Sequence, residues 1–519
     1  MAVRMFAAIE IGSFALELGI YEISEKTGIR CVDHIRHVIA LGSDTFSEGK
    51  ISYGLADEMC SVLEDFTGIM KTYRVREYRA YGTTAMREAK NSQIILDQIC
   101  VRTGLKVRII SNSEQRFISY KAVAAKTGEF NRIIQKGTAI VDVGFGSAQI
   151  SLFDKDTLVT TQSLPLGTLR IRSQLAKIPA SVRSHCLHIE ELVDNELITF
   201  RKMYLKDRKI DNLIGIGTNI TYLMRQLGFN TAADRVDDKE MELFYERLSQ
   251  MTLDQIEERF NVNSEYASLL LPAAVVYRRV MEVTGAGQFW IPDIGLCDGI
   301  AAEYADDCRL FRFSHSFEND ILAAARNMAK RYKCHAGHNQ MLEQYALSIF
   351  DAARKFHGMG ARERLLLAVT LHGCGKFISI RNSNESSYNL IMSTEIIGLS
   401  HLEREIIANV VRYNIRDFDY DTIQLETQIG EDGSGNLNRS SITILIAKLT
   451  AILRLANSMD KTHKSKLADC RMAIREGELV ITTGYTGDLA LERASFEQKA
   501  DFFEEIFGIR PVLKQKRRA

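Results

Sequence analysis

Ile9-Glu10-Ile11-Gly12-Ser13, running into Leu16-Glu17-Leu18-Gly19-Ile20, decides how this chain is read. An apolar strand ends in an acid, a glycine turn follows, and a second apolar strand leaves the turn. Val141-Asp142-Val143-Gly144-Phe145-Gly146-Ser147, running into Gln149-Ile150-Ser151-Leu152-Phe153, repeats the device. Turns of this kind aim backbone N–H groups outward, where they hold phosphate oxygens, and a carboxylate beside them holds a hydrated divalent cation. Two such turns facing each other would grip a phosphate chain from both sides. The expectation is that Glu10 and Asp142 meet across one crevice.

Working outward, strands and helices alternate up to about residue 125. Met5–Glu10, Leu16–Ile23, Ile29–Leu41, Glu77–Tyr81 and Lys106–Ser111 read as strands, and Leu55–Tyr73, Ser92–Thr103 and Glu114–Ala125 as helices. A polar stretch, Lys126–Lys136, reads as a linker, and the pattern then restarts, which points to an architectural duplication. Leu213-Ile214-Gly215-Ile216-Gly217-Thr218-Asn219 is a third strand and glycine turn, here opening a helix whose free N–H groups and dipole suit an anion. After about Phe313 strand signals fade and long amphipathic helices take over, and Gly430–Gly435 reads as a loop. The expected division is 1–126 and 127–312 for two α/β lobes and 313–519 for a mainly α-helical module.

Lys plus Arg equals Asp plus Glu, 66 each, so global charge gives no pointer to nucleic acid. The nine cysteines show no CxxC pair or zinc-ligand spacing and read as reduced thiols of a cytoplasmic protein. The sequence lacks a signal-peptide pattern, and no apolar run is expected to span a bilayer, so no membrane association is anticipated. The basic end, Lys514-Gln515-Lys516-Arg517-Arg518, reads as a solvated tail.

Tyr81-Gly82-Thr83-Thr84-Ala85-Met86-Arg87-Glu88-Ala89-Lys90-Asn91 ends a strand in a Gly-Thr-Thr turn with an arginine on the next helical turn. Its bland reading is a helix cap and a surface arginine; its functional reading is a fork for phosphate oxygens. With it, Ile109–Gln115, the two acid–glycine turns, Leu164-Pro165-Leu166-Gly167, Gly215–Thr218, Leu271-Pro272-Ala273 and Gly295-Leu296-Cys297-Asp298-Gly299 occur in the order and spacing of one family. The chain resembles the exopolyphosphatase/guanosine pentaphosphate phosphohydrolase family over roughly its first three hundred residues. The helical remainder is similar to the HD-type module of long members. The resemblance implies actin-like lobes of the sugar kinase/Hsp70 type. It implies Mg²⁺-assisted hydrolysis of the terminal phosphoanhydride of polyphosphate or guanosine pentaphosphate. It assigns phosphate contacts to Gly12, Ser13, Thr84, Arg87, Gly144, Gly146, Ser147, Gly217 and Thr218, metal binding to Glu10 and Asp142, and water activation to Glu114 and Gln115. Long relatives further imply a homodimer, or an extended substrate channel, through the C-terminal helices.

Several positions depart from the family pattern. The first turn usually reads Asp-x-Gly-Ser-Asn-Ser, and Glu10, Phe14 and Ala15 differ. The second usually reads Asp-x-Gly-Gly-Gly-Ser-Thr-Glu, and Phe145, Ala148 and Gln149 differ. An ungapped match puts Gln115 where a glutamate would deprotonate water, with Glu114 turned about 100° away on a helix. A glutamine amide orients water but does not take its proton. In the helical module His338 could be a first ligand, but His372-Gly373, Asn414 and Asn457 replace expected ligands, leaving Asp460; no metal is expected there. The leading reading is a hydrolase. The alternative is a weakened or inactive regulatory protein that binds polyphosphate or guanosine penta- and tetraphosphate. A small-molecule kinase of the same superfold is the third.

Overall fold

The computed structural model describes residues 3–176, 182–216, 235–262, 264–292, 294–353, 361–394, 396–421, 423, 425 and 439–516. Gly217, Thr218 and the loop Gly430–Gly435 lie outside them. The chain divides into two compact units, Met1–Asp320 and Ile321–Ala519.

The first unit holds two sheets. In one, β1 (Arg4–Ile11), β2 (Ala15–Ser24), β3 (Gly28–Val38), β4 (Glu77–Gly82) and β5 (Val107–Ile109) lie in the order β3-β2-β1-β4-β5. In the other, β6 (Thr138–Val143), β7 (Ala148–Asp154), β8 (Thr157–Leu164), β9 (Asn212–Ile216), β10 (Arg235–Asp237) and β11 (Gln288–Trp290) lie in the order β10-β11-β9-β6-β7-β8. Each sheet therefore has an antiparallel three-strand meander whose first strand pairs in parallel with the next one over: β1 with β4, and β6 with β9. The duplication expected from the restart of the sequence pattern is present as strand order. Both glycine turns follow the first strand of a meander, at the carboxyl ends of the parallel pairs, where open α/β sheets place their ligands.

The strands are apolar because both faces are covered. Along β1, Ala7, Ile9 and Ile11 face one core, while Phe6 and Ala8 face another shared with Leu296, Cys297, Ile300 and Ala301. The helix Leu296–Asp307 thus returns from the second lobe's stretch of sequence to pack on the first lobe's sheet. Gly299 permits it: a Cβ there would stand 2.1 Å from the Ile118 carbonyl oxygen.

Two local expectations change. The polar stretch after Lys126 contains a helix, Thr127–Ile133, and a further helix, Leu41–Glu48, follows β3. The first unit also ends later than residue 312. Asp320, 1% exposed, accepts hydrogen bonds from Tyr120 Oη (2.7 Å) and Leu158 N (3.1 Å) and lies 2.6 Å from His315 Nε2, so residues 313–320 are anchored to the lobes.

The second unit is mainly helical, with a small sheet of β12 (Arg471–Arg475), β13 (Glu478–Thr483) and β14 (Arg510–Gln515). Lys514 and Gln515, read from sequence as tail, pair with Thr482 and Thr483, because Val512 and Leu513 carry the strand onto β13. Counter to the sequence expectation, the helix Arg439–Met459 is long and apolar enough to cross a membrane; 72% of its apolar window is buried in this unit's core.

Candidate active site

Both turns close identically. Gly12 N donates to Ala15 O (2.9 Å), and Gly144 N to Ser147 O (3.0 Å). The first turn is stitched to its surroundings by Ser13, whose Oγ accepts from Ala85 N (3.2 Å) and whose carbonyl accepts from Gly42 N (2.7 Å). The second is backed by Gly167: a Cβ there would meet the carbonyl carbon of Gly146 at 2.1 Å, so only glycine fits. That contact explains why Leu164–Gly167 accompanies the turn.

The two turns line one cavity of about 100 Å³. It brings together Glu10, Gly12, Ser13, Thr84, Gln115, Asp142, Gly144, Gly146 and Ser147, most of the residues proposed from sequence. Glu10 is pushed well above the usual carboxylate range by burial, then by the neighbouring charges of Glu17 and Asp142. Asp142 is raised to about 6 by burial, against the attraction of Arg116. Neither carboxylate has a hydrogen-bond or ion-pair partner among the described residues. Three carboxylates, Glu10, Glu17 and Asp142, face the cavity, and Arg36 is the only cationic side chain among its described lining residues. A polyanion entering there needs a counter-ion. Of the three carboxylates, Glu10 and Asp142 offer hard oxygen donors without a partner among the described residues, the donor type that suits a divalent cation such as Mg²⁺.

Two residues named from sequence stand elsewhere. Glu114 is not part of the cavity wall. It completes a capping box at the start of the helix Asn112–Ala125: its carboxylate accepts from Ser111 N (2.9 Å) while Ser111 Oγ accepts from Glu114 N (3.2 Å). Its other oxygen lies 2.5 Å from Arg108 Nη1. The helical turn directs Gln115 and Ser119, four residues apart, into the cavity instead. Arg87 is likewise committed to protein. Its guanidinium donates to Ile110 O (2.8 Å), Thr84 Oγ1 (3.0 Å) and Asn112 Oδ1, and burial lowers its pKa. It braces the start of the helix that carries Gln115 and is not among the residues lining the cavity. Gly217 and Thr218 lie outside the described residues; Ile216 before them reaches the cavity wall.

Sequence reasoning missed Arg36, Glu17, Ser119 and Gln149 on that wall. Arg36 Nε lies 3.4 Å from Glu17 Oε1, and the guanidinium sits 5.6 Å from the Tyr266 ring centre. Gln149 Oε1 is buried without a hydrogen-bond partner. Glu17 and Gln149 occupy inward positions in motif strands, a signal that was available; Arg36 lies in a strand with no buried position and gave none. The departures Phe14 and Phe145 form a clasp. Phe14 leaves the first lobe's turn and is buried in the second lobe's core, with ring centres 5.4 Å from Phe145 and 5.0 Å from Tyr266.

In the second unit, the expected ligand residues are turned on one another. His338 Nδ1 lies 2.7 Å from Asp460 Oδ2 and its Nε2 3.2 Å from Asn457 Oδ1. His372 Nδ1 bonds Val369 O (2.7 Å). Burial lowers both histidines, His372 to about 4. Among the described residues, no cluster of three or more His, Cys, Asp or Glu side chains is placed to hold a metal.

A duplicated sheet order with paired acid–glycine turns across a crevice defines a two-lobed, actin-like protein. The particular family follows from comparison: the chain belongs to the Ppx/GppA phosphatase family, whose model matches residues 20–307, with domain III of that family matching residues 322–500. It is similar to exopolyphosphatase 1 of Mycobacterium leprae, at 25% identity over 239 residues, covering 45% of this chain and 69% of that one. It is similar over 79% of its length, at 21% identity, to the guanosine-5'-triphosphate,3'-diphosphate pyrophosphatase of Photobacterium profundum, 80% of which is covered. Among solved structures, the Ppx/GppA family member of Aquifex aeolicus superposes with a TM-score of 0.50 at 19% identity (61% of this chain, all of that one). An exopolyphosphatase from Cytophaga hutchinsonii superposes at 0.51 and 16% identity (59% and 98%). These structures speak to the fold.

Proposed function

We propose that the interlobe cavity binds the terminal phosphate of an inorganic polyphosphate or of guanosine pentaphosphate and hydrolyses its phosphoanhydride bond. The observation that carries this reading is the convergence of Glu10, Asp142, both glycine turns, Thr84 and Gln115 on one cavity. The named relatives, an exopolyphosphatase and a guanosine-5'-triphosphate,3'-diphosphate pyrophosphatase, share the chemistry of phosphoanhydride cleavage. Outward N–H groups of Ser13, Phe145, Gly146 and Ser147 receive phosphate oxygens, and Arg36 supplies a cationic contact. Glu10 and Asp142 are the residues that would hold Mg²⁺, which when bound neutralises charge on the phosphate. Gln115 orients the attacking water through its amide. Phosphoryl transfer needs little more than positioning and charge stabilisation, and a glutamine serves as the water-orienting group in GTPases. The expected rate is low, since the Gln115 amide does not take the water's proton and Glu114 is occupied by the helix cap.

The test is phosphate release from polyphosphate and from guanosine pentaphosphate, comparing the native chain with Gln115→Glu. A gain of about 10² is expected from restoring a base. A second reading, a protein that binds the same ligands without turnover, is favoured by the capped Glu114 and the Phe14–Phe145 clasp. Calorimetric binding with no phosphate released by either chain would establish it over the first.

A further inference from the structure

In the second unit, two of the nine cysteines stand together. Cys334 follows the helix Phe317–Arg331, and Cys374 opens the short turn Cys374–Phe377, yet their sulfurs are 3.4 Å apart. Cys334 is partly exposed and Cys374 fully buried. Gly373 precedes Cys374, and a Cβ there would stand in ordinary contact, 3.7 Å, with Cys334 Sγ.

We infer that Cys334 and Cys374 form a dithiol site for hydroperoxides, with Cys334 as the attacking sulfur and Cys374 as the resolving one. Accessibility divides the roles, because only Cys334 is open to an incoming oxidant. The contact between the sulfurs and the charge of Lys376 favour the thiolate at Cys334 against its burial, whereas that contact and then burial push the Cys374 thiol up. The Cys334 thiolate attacks one oxygen of hydrogen peroxide. The O–O bond breaks, hydroxide leaves and is protonated to water, and Cys334 becomes a sulfenic acid. The Cys374 sulfur then attacks the Cys334 sulfur. The S–S bond forms, the S–O bond breaks, and a second water leaves with the Cys374 proton. The two sulfurs lose two electrons, and peroxide is reduced to two waters. The bond closes a loop between positions 334 and 374 beside His338 and His372, so oxidation would fix that part of the unit.

The experiment treats the full native chain with hydrogen peroxide, alkylates the remaining thiols and maps peptides by mass spectrometry. The expected result is loss of two of nine alkylatable thiols, recovered as one Cys334–Cys374 cross-linked peptide and restored by dithiothreitol. In Cys374→Ser, Cys334 should instead be trapped by dimedone as the sulfenic acid. Oxidation of the exposed Cys31 or Cys100 ahead of Cys334, or full alkylation of both Cys334 and Cys374 in the treated native chain, would overturn the assignment. The native-chain measurement stands whether or not the variant folds.

Discussion

The crevice between the two lobes and the histidine cluster of the helical unit both gather ionisable side chains, yet they stand in opposite electrostatic states. In the crevice, Glu10 and Asp142 keep their lone pairs unspent, and desolvation raises both. In the helical unit, Asp460 is bonded to His338 and to Ser465 N, and His338 is bonded at both nitrogens. A ligand-type residue whose donors are already satisfied has become a structural residue. The contrast lies in the lone pairs: those of Glu10 and Asp142 have no protein partner among the described residues, whereas those of Asp460 and His338 do.

The largest effect should come from removing the unspent charge. Asp142→Asn and Glu10→Gln are expected to cut phosphate release by about 10² to 10³, the scale of a lost electrostatic contact to a developing charge. His338→Gln should leave the rate unchanged. Equal losses in all three variants, measured by steady-state phosphate release, would break the distinction between the two regions.

The clasp offers the next effect. Phe14 is 1% exposed in a core belonging to the opposite lobe. Phe14→Ala should destabilise the first unit by about 3 to 5 kcal/mol, from lost burial and the cavity left behind. Hydrogen exchange read separately for β6 and for Arg439–Met459 would check it, with only the first deprotected. Global loss of protection in both would show that the two units unfold together.

Much of this was legible in the sequence, for a stated reason. The acid–glycine turns carry their geometry locally, so the strands flanking Gly12 and Gly144 and the meeting of Glu10 with Asp142 could be read from short motifs. The fate of Glu114 was legible too: Ser111-x-x-Glu114 is a capping-box pattern, and the 100° turn already aimed Gln115 elsewhere. The bonds of Arg87 within the protein were not legible, because their acceptors, the Ile110 carbonyl and Asn112, come from a separate element. Phe14 could be read only as a lost amide. Its role depends on Phe145 and Tyr266, which long-range folding delivers. The sulfur pair was invisible as well, since forty residues separate Cys334 from Cys374.

Opposite pH dependences should sharpen the contrast. An aspartate titrates near ~3.9 when unfolded, and Asp142 titrates at about 6 in the fold. Between those values the folded state binds more protons, so this group's stabilisation is fully present below about pH 4 and is lost as pH rises through about 6. Glu10, also raised, acts with the same sign. His372 is shifted the other way, from near ~6.5 unfolded to about 4, so its contribution is present above about pH 6.5 and is lost as pH falls toward 4. Hydrogen exchange across this range should therefore show the first unit's core weakening and the second's strengthening as pH rises. Adding Mg²⁺ should offset the weakening of the first unit at about pH 7, where Asp142 is ionised, and have little effect at about pH 5. Parallel slopes in the two units would remove the electrostatic basis of the comparison.

The smallest effect tests whether Glu114 is a cap. As the N3 partner of Ser111 it satisfies one backbone donor, and it also meets exposed Arg108, a contact that solvent screens. Glu114→Ala should therefore cost about 1 kcal/mol, typical of losing a helix cap. Turnover should fall only by the small displacement of Gln115 that fraying allows. Gln115→Ala inverts the pattern, since that side chain lines the cavity and caps nothing: stability should hold and phosphate release should drop. Thermal melts paired with turnover for the two variants separate the roles of adjacent residues. A Glu114→Ala chain of native stability but without activity would mean that its carboxylate leaves the cap to reach the substrate water, and Glu114 would then belong to the reaction.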